Sequence, residues 1–205
     1  MMTDSMHINI REATPEDAEQ IHALMHASQQ EMENASMYII GSPKKIRQFL
    51  GEPGSYGYVA ADADGEIVSF ALFATYRPGP RLTTDIPQQL IQSKTVPYDM
   101  DLALRCVNFA TKSEYRSLGI AHHLIATGLE HGSILGCESI WTLIDPRNDV
   151  ALRMMARHGL RIHATAGGFA SVGKGYMSYS DDETNTEPLG RYAVTRNILC
   201  GAIRR

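Results

Sequence analysis

Residues 115–121 read YRSLGIA and lie between a predicted strand, residues 100–110, and a predicted helix that begins at Gly119. A short turn that carries one Arg and one Gly leads directly into this helix. The first backbone N–H groups of a helix have no acceptor within the helix, and they lie at the positive end of its dipole. The stretch therefore predicts a site that binds an anionic group such as a phosphate.

Length and composition limit the classes of protein that the chain can belong to. A chain of 205 residues suits one domain, so we predict a single domain over residues 1–205. No apolar run approaches the roughly 20 residues of a membrane span, and the first ten residues lack the features of a secretory signal. The formal net charge is −4, and neither sign forms a long run. We therefore expect a cytoplasmic protein with neither membrane nor nucleic-acid partners.

The cysteines and histidines do not form a metal-binding pattern. Cys106, Cys137 and Cys200 are widely spaced, which argues against a disulfide framework and against a zinc site and predicts reduced thiols. His22 and His26 stand one helical turn apart, but no carboxylate lies at a matching spacing. Ordinary surface histidines are the favoured interpretation, and we predict no metal.

Turn and capping signals divide the first half of the chain. Thr14 and Pro15 predict a helix start, and the carboxylate of Asp17 favours the same position. Ser42 and Pro43 predict a second helix, and Asp64-Gly65 predicts a hairpin. The predicted elements are a strand at 7–11, helices at about 14–32 and 42–50, and strands at 56–61 and 66–76.

The second half alternates strands with helices, as in an α/β sheet with right-handed crossovers. The central strand at 100–110 and the helix from Gly119 are followed by a strand, a helix and another strand. Gly-rich and acidic residues then predict a loop or hairpin insertion before the last strand. The predicted bounds are a strand at 139–144, a helix at 149–158, a strand at 160–164, the insertion at 166–190 and a final strand at 191–200.

Two motifs resemble those of the GNAT acyltransferase superfamily. YRSLGIA is similar to the family signature Q/R-x-x-G-x-G/A, with Arg116, Gly119 and Ala121 at its defined positions. The family also places an Asn after the next strand, an Ala three residues later, and a Gly with an apolar residue at the helix end. The matching residues are Asn148, Ala151, Gly159 and Leu160.

The resemblance implies a fold and a function. The fold is an α/β domain with a mixed, mostly antiparallel central sheet flanked by helices, and its central strand pair is splayed. The function is transfer of an acetyl group from acetyl-CoA to a primary amine, on a small molecule or a peptide, by direct attack in a ternary complex. The implied coenzyme-binding residues are Phe109, Ala110, Thr111, Arg116, Ser117, Leu118, Gly119, Ile120, Ala121 and Asn148.

Two departures from the family pattern affect proton transfer. Met155 occupies the position where many members have a Tyr that protonates the departing thiolate, and Arg105 occupies the position of a carboxylate base. We therefore take Asp101, on the same face of the strand by parity, as the candidate base. Tyr176 and Tyr179 are the candidate acids. The departures keep open a non-catalytic, coenzyme A-binding sensor or interaction module.

A second pattern competes with this interpretation. Residues 168–174 read GFASVGK and satisfy G-x-x-x-x-G-K, but Gly175 follows where a phosphate loop needs Ser or Thr for magnesium. A mobile loop over the acceptor groove is the better interpretation. The final strand and the long loop before it also leave open a homodimer formed by exchange of these segments.

Overall fold

A computed structural model describes residues 7–33, 41–75, 103–173, 176–178 and 190–203, and within 163–198 it describes only the backbone. Eight strands in these residues form one sheet, in the order β1-β2-β3-β4-β5-β8-β6-β7. The strands are β1 (Asn9–Glu12), β2 (Ser55–Ala61), β3 (Ile67–Thr75), β4 (Ala103–Thr111), β5 (Ser139–Ile144), β6 (Arg161–Gly173), β7 (Tyr176–Ser178) and β8 (Gly190–Ala202). The helices are α1 (Ala18–Gln30), α2 (Pro43–Leu50), α3 (Ile120–Ile134) and α4 (Asp149–Arg157).

The sheet is mixed and mostly antiparallel. Among the described strands, only β4 and β5 pair in parallel, and α3 connects them. The other pairs, from β1 with β2 to β6 with β8, are antiparallel. The predicted fold class, including the splayed central strand pair, is confirmed.

One face of the sheet is covered by α1 and α2. Apolar residues of both helices pack against β2 and β3 in one buried cluster that includes Ile21, Phe49, Val59 and Phe70. The predicted capping signals have structural counterparts. The Asp17 carboxylate accepts the Thr14 N–H at 2.8 Å, and the Ser42 hydroxyl accepts the Lys45 N–H at 3.3 Å.

The opposite face carries α3 and α4 in a second buried cluster that includes Leu104, Leu124, Ile140 and Met155. Gly128 allows α3 to lie close to the sheet, because a Cβ at this position would stand 2.2 Å from the ring of Phe73. The packing density of a protein interior leaves no room for such an atom. The small residue therefore sets the distance between α3 and β3.

The turn of the hairpin between β2 and β3 is stabilised by hydrogen bonds to a side chain of the turn itself. The Asp62 carboxylate accepts the N–H groups of Asp64 and Glu66 at 3.0 and 2.9 Å. Gly65 adopts a left-handed backbone, with φ of 82°. This turn chemistry is the physical basis of the predicted Asp64-Gly65 hairpin.

The described part of the predicted loop or hairpin insertion, residues 166–190, contains strand residues. Residues 166–173, where a loop or hairpin insertion is predicted, continue β6 and pair with β8, and β7 then pairs back on β6. Residues 168–173 of the GFASVGK pattern are therefore extended, whereas a phosphate loop requires a turn that leads into a helix. Residues 100–102, predicted as part of the central strand, lie outside the described residues.

None of the helices in the described part of the chain combines the length and the apolar character that crossing a membrane requires.

Asp17 is expected to stabilise the start of α1. Its carboxylate receives two hydrogen bonds of 2.7 Å from the Arg11 guanidinium, and these bonds are the main cause that lowers its pKa. We expect Asp17→Asn to lower the free energy of unfolding by about 1–3 kcal/mol at neutral pH, measured by urea denaturation.

The pH dependence follows from the lowered pKa. The charged carboxylate contributes stability that is complete above its unfolded pKa of about 4 and is lost as the pH falls through the lower folded value. The difference in the free energy of unfolding between the native chain and Asp17→Asn should therefore shrink below about pH 4. Glu19→Gln is the control, because its ion pair with Arg47 is exposed and contributes less than about 1 kcal/mol. Equal losses from both substitutions would contradict the proposed role of Asp17.

Candidate acyl-transfer site

The central feature of the sheet is a gap between β4 and β5. The two strands pair at only three positions, ending where Arg105 lies opposite Trp141. Just beyond this point, the register between β3 and β4 shifts so that Val107 becomes an extra residue, a β-bulge that bends the strand. The Thr142 hydroxyl still reaches across and donates to the Cys106 carbonyl at 2.9 Å. From there to Thr111, β4 has no backbone pairing with β5.

Two helices begin at the same edge of this gap. Because β4 and β5 are parallel, their carboxyl ends lie at one edge of the sheet, and each leads into a helix that crosses back. Gly119 precedes α3 and Asn148 precedes α4. Ligands of open α/β sheets bind at the carboxyl ends of strands, where neighbouring connections diverge. The edge therefore combines a groove with two helix N-termini.

Loop 116–119 presents backbone donors at the start of α3. Ser117 and Gly119 both have left-handed backbones, with φ of 64° and 80°. The first backbone bond of the helix runs from the His123 N–H to the Gly119 carbonyl at 3.0 Å, so the N–H groups of the three residues from Ile120 onward precede the helical ladder. A Cβ on Gly119 would meet no atom within 4 Å. The start of α3 therefore combines free backbone donors with open space beside Gly119, as an anion-binding helix N-terminus requires.

Arg116 holds this loop against β4 and α1. Its Nε donates to the Thr111 carbonyl at 3.0 Å, and its guanidinium pairs with Glu31, directly after α1. The predicted ligand Arg116 therefore already has partners in the fold. Its first function in the structure is to position the backbone donors of the loop.

The tip of the β2–β3 hairpin supports the same loop. The Tyr115 hydroxyl donates to the Asp62 carboxylate at 3.3 Å, and the Lys112 ammonium lies 2.6 Å from the Glu66 carboxylate. The Lys112 N–H also donates to the Val68 carbonyl at 2.9 Å. The sequence analysis missed these contacts, because no local pattern connects residues about fifty positions apart.

Asn148 is a helix cap. Its side-chain oxygen accepts the Ala151 N–H at 3.1 Å, which leaves the amide nitrogen of the side chain uncommitted by this bond. Asp145, directly after β5 and 1% exposed, fixes the preceding turn. Its carboxylate accepts three hydrogen bonds of 2.8–3.0 Å from the backbone and guanidinium of Arg147. This ion pair between the buried Asp145 and the exposed Arg147 sets where α4 begins.

A stacked histidine pair lies at the first turn of α3. The rings of His122 and His158 are 4.4 Å apart and nearly parallel. Burial, with a smaller contribution from the charge of His122, lowers the pKa of His158 to about 4. His158 is therefore neutral at physiological pH and links the end of α4 to the start of α3.

The described structure covers the predicted coenzyme residues more fully than the catalytic candidates. Phe109, Ala110 and Thr111 form the last three residues of β4 beside the gap. Leu118 is 56% exposed in the loop, whereas Ile120 is buried beneath it. The ten coenzyme candidates thus lie on β4, loop 116–119, the first turn of α3 and the cap of α4.

The catalytic candidates stay predictions. Asp101 and Tyr179 lie outside the described residues, and Tyr176 is described only as backbone at the start of β7. Met155, in the family position of the proton donor, is fully buried in the cluster beneath α3 and α4. Its side chain is therefore part of the core.

No group of three or more His, Cys, Asp or Glu residues in the described ranges is placed to hold a metal ion. His22 instead uses its Nδ1 in a hydrogen bond of 2.9 Å with the Gly41 carbonyl.

The fold and this groove define an acyltransferase class of α/β protein. A family model, the Acetyltransferase (GNAT) family, matches residues 18–160. The chain belongs to this family. No curated protein matches the sequence.

Solved structures of the same fold are distant in sequence. An N-acetyltransferase from Staphylococcus aureus Mu50 superposes with a TM-score of 0.63 at 15% identity, covering 97% of this chain and 99% of that chain. The Salmonella typhimurium protein yncA, whose structure contains its cofactor acetyl-CoA, superposes with a TM-score of 0.63 at 12% identity. The match covers 97% of this chain and 95% of that chain. The ribosomal-protein-S18-alanine N-acetyltransferase of Escherichia coli gives 0.60 at 12% identity, covering 97% and 96%. At these identities the likeness concerns the fold.

The hydroxyl of Thr142 is expected to stabilise the point where β4 and β5 separate. Thr142→Val keeps the shape of the side chain but leaves the buried Cys106 carbonyl without this donor, which should cost about 1–2 kcal/mol in urea denaturation. Thr127→Val is the control, because its hydroxyl bonds to the His123 carbonyl on an exposed helix face. If Thr142→Val lowers the free energy of unfolding by no more than Thr127→Val does, the hydrogen bond from Thr142 to Cys106 has no special role at this point of the sheet.

Proposed function

We propose that the protein is an acetyl-CoA-dependent N-acetyltransferase that acts on a primary amine. The observation that carries the proposal is the gap between β4 and β5 with two helix N-termini at its open edge. Family membership and the fold shared with yncA, which binds acetyl-CoA, support the same donor. The gap runs along β4, so an extended ligand anchored at the edge would lie between the two strands.

The residues at the edge fit the phosphates of coenzyme A. The residues from Ile120 to His122 supply N–H donors at the positive end of the α3 dipole, and the space beside Gly119 is open. The backbone of β4 beyond Arg105, which does not pair with β5, lies where an extended arm would pass. Asn148 contributes a side-chain amide at the start of α4.

The bound donor supplies a thioester whose C–S bond breaks as the amine nitrogen forms the new C–N bond. The amine loses a proton and the departing sulfur gains one. Cys106 is buried, and burial raises the pKa of its thiol to about 12. Such a thiol is not a nucleophile at neutral pH, which supports direct attack by the amine and not an acyl-enzyme on Cys106.

We assign proton transfer to the residues that the sequence analysis names as candidates. Asp101 is the proposed base, and Tyr176 and Tyr179 are the proposed acids. The buried position of Met155 supports this choice, because no donor at the family position contacts the groove.

The coenzyme site is tested by Gly119→Glu. At a concentration 100 times its Kd, acetyl-CoA adds about 2.7 kcal/mol to stability, which should raise the Tm of the native chain by about 5–10 °C. Gly119→Glu places a carboxylate and side-chain bulk in the open space before α3. We expect it to abolish this rise in a thermal unfolding assay.

Gly65→Glu is the matched control. Gly65 also has a left-handed backbone, with φ of 82°, and open space around its Cβ position, but it lies in the β2–β3 turn. Both substitutions carry a similar strain of about 1–2 kcal/mol. Only Gly119→Glu should lose the response to acetyl-CoA. An undiminished response in Gly119→Glu, or an equal loss in both variants, would reject the proposed phosphate site.

A non-catalytic, coenzyme A-binding sensor is the second candidate. Met155 in the core and Arg105 in the family position of a base favour it. Release of free coenzyme A thiol from acetyl-CoA, measured across a panel of primary amines, separates the two candidates. We expect steady thiol release with at least one amine. Saturable acetyl-CoA binding without release above the amine-free background would instead support the sensor.

A further inference from the structure

One carboxylate reaches the loop before α3 from the helix layer on the other face of the sheet. Glu31 caps the C-terminal end of α1, and its carboxylate pairs with the guanidinium of Arg116. The last turn of α1 is anchored, because Ser28 and Gln29 are buried and the Glu31 N–H donates to the Ala27 carbonyl at 3.2 Å. The carboxylate therefore extends from a helix end that is fixed in place.

Arg116 is held at two points. Its Nε donates to the carbonyl of Thr111, the last residue of β4, and a terminal nitrogen of its guanidinium donates to Glu31. Thr111 is fixed in turn by the buried Ser69. The Ser69 hydroxyl donates its one proton to the Ala110 carbonyl at 2.9 Å, so it accepts from the Thr111 hydroxyl, 2.8 Å away. The guanidinium thus bridges the end of β4 and the end of α1.

The loop that follows Arg116 is fixed mainly at its ends. Ser117 has a left-handed backbone, with φ of 64°, which a residue with a Cβ rarely adopts and keeps only where the surrounding structure holds it. The N–H groups of residues 117–119 have no acceptor in the described part of the chain. At the far end, the Gly119 carbonyl accepts the His123 N–H at 3.0 Å. The bridge through Arg116 is therefore the anchor at the near end.

The charges around this bridge are of opposite sign to those that an anion site needs. The Glu31 carboxylate and the C-terminal end of the α1 dipole are both negative, and either would repel a phosphate. The Arg116 guanidinium compensates both, because a cation close to the C-terminus of a helix interacts favourably with its dipole. Glu31 can therefore hold the loop through Arg116 while its own charge is neutralised.

We propose that Glu31 is a positioning residue for the coenzyme, acting through Arg116 to hold loop 116–119 and the first turn of α3 in the conformation that binds the pyrophosphate. The inference rests on the proposed coenzyme site and not on acetyl transfer, so it applies to an enzyme and to a sensor alike. Its sign is distinctive. Loss of a negative charge alone would tighten the binding of an anion, whereas loss of a positioning contact weakens it, since the loop must then be ordered on binding.

The test is the Kd of coenzyme A for the full-length protein, measured by isothermal titration calorimetry. We expect Glu31→Gln to raise the Kd about fivefold or more, the lower end of typical couplings between sites. Glu31→Asp, which keeps the carboxylate, should raise it less. Glu19→Gln is the matched control, because it removes the same charge from the first turn of α1, and it should change the Kd by less than about twofold.

A double-mutant cycle tests whether Glu31 acts through Arg116. In the Arg116→Gln chain, the further change Glu31→Gln should leave the Kd unchanged or lower it, because the unpaired carboxylate then only repels the anion. Circular dichroism identifies any unfolded variant. Glu31→Gln is expected to fold, since the pair is half-exposed and contributes little to stability. If Arg116→Gln does not fold, Glu31→Gln with its two companions decides the test.

The outcomes separate this inference from the proposed coenzyme site. If the native chain binds coenzyme A, an unchanged or lower Kd in Glu31→Gln would overturn the positioning role and leave the coenzyme site standing. An equal rise in Glu19→Gln, or an equal rise with and without Arg116, would overturn it as well. No binding by the native chain would reject the coenzyme site and the role of Glu31 together.

Discussion

The parallel pairing of β4 with β5 stops after three residues, and the arrangement of the site depends on this stop. A parallel ladder that continued to the carboxyl ends would close the sheet and bury the edge of β4. Instead, the bulge at Val107 bends β4 away, while the Thr142 hydroxyl satisfies the Cys106 carbonyl at the branch point. Near the branch point, the separation therefore leaves few backbone groups without a partner. It opens a groove between β4 and β5, which stay paired with β3 and β8 on their other sides.

The groove is useful because the same topology brings two helices to its open edge. Both crossover helices begin where their strands end, and their dipoles add positive potential at one place. The side chains around this edge mainly hold the backbone in position. Arg116 pairs with Glu31, and Arg147 pairs with Asp145, so each guanidinium is already paired with a carboxylate of the protein. In the coenzyme site that we propose, the main anion-binding groups are backbone donors, which only a substitution by proline removes.

The two faces of the central strands have different chemistry. Beneath α3 and α4, Leu104, Ile140 and Met155 form a close-packed core, and Gly128 brings α3 down onto Phe73. The opposite face bears Arg105 on Trp141 at the floor of the groove. Replacement of a family tyrosine by Met155 fits the first face, since a buried phenol there would need a hydrogen-bond partner. On the second face, Arg105 stands where the family resemblance implies a carboxylate base.

The sequence by itself determined the elements whose causes are local. The Asp64-Gly65 turn, the caps at Ser42 and Asn148, and the Gly119 turn into α3 follow from backbone conformations and hydrogen bonds within a few residues. The two spaced motifs were sufficient to indicate the family and the splayed strand pair. Only the tertiary structure decided how far β6 extends, because residues 166–173 are ordered by pairing with β8, and no local signal encodes that partner. The same holds for the contact of Tyr115 with Asp62 and for the stacking of Arg105 on Trp141. Such contacts join residues that are distant along the chain, and their geometry exists only once the sheet has assembled.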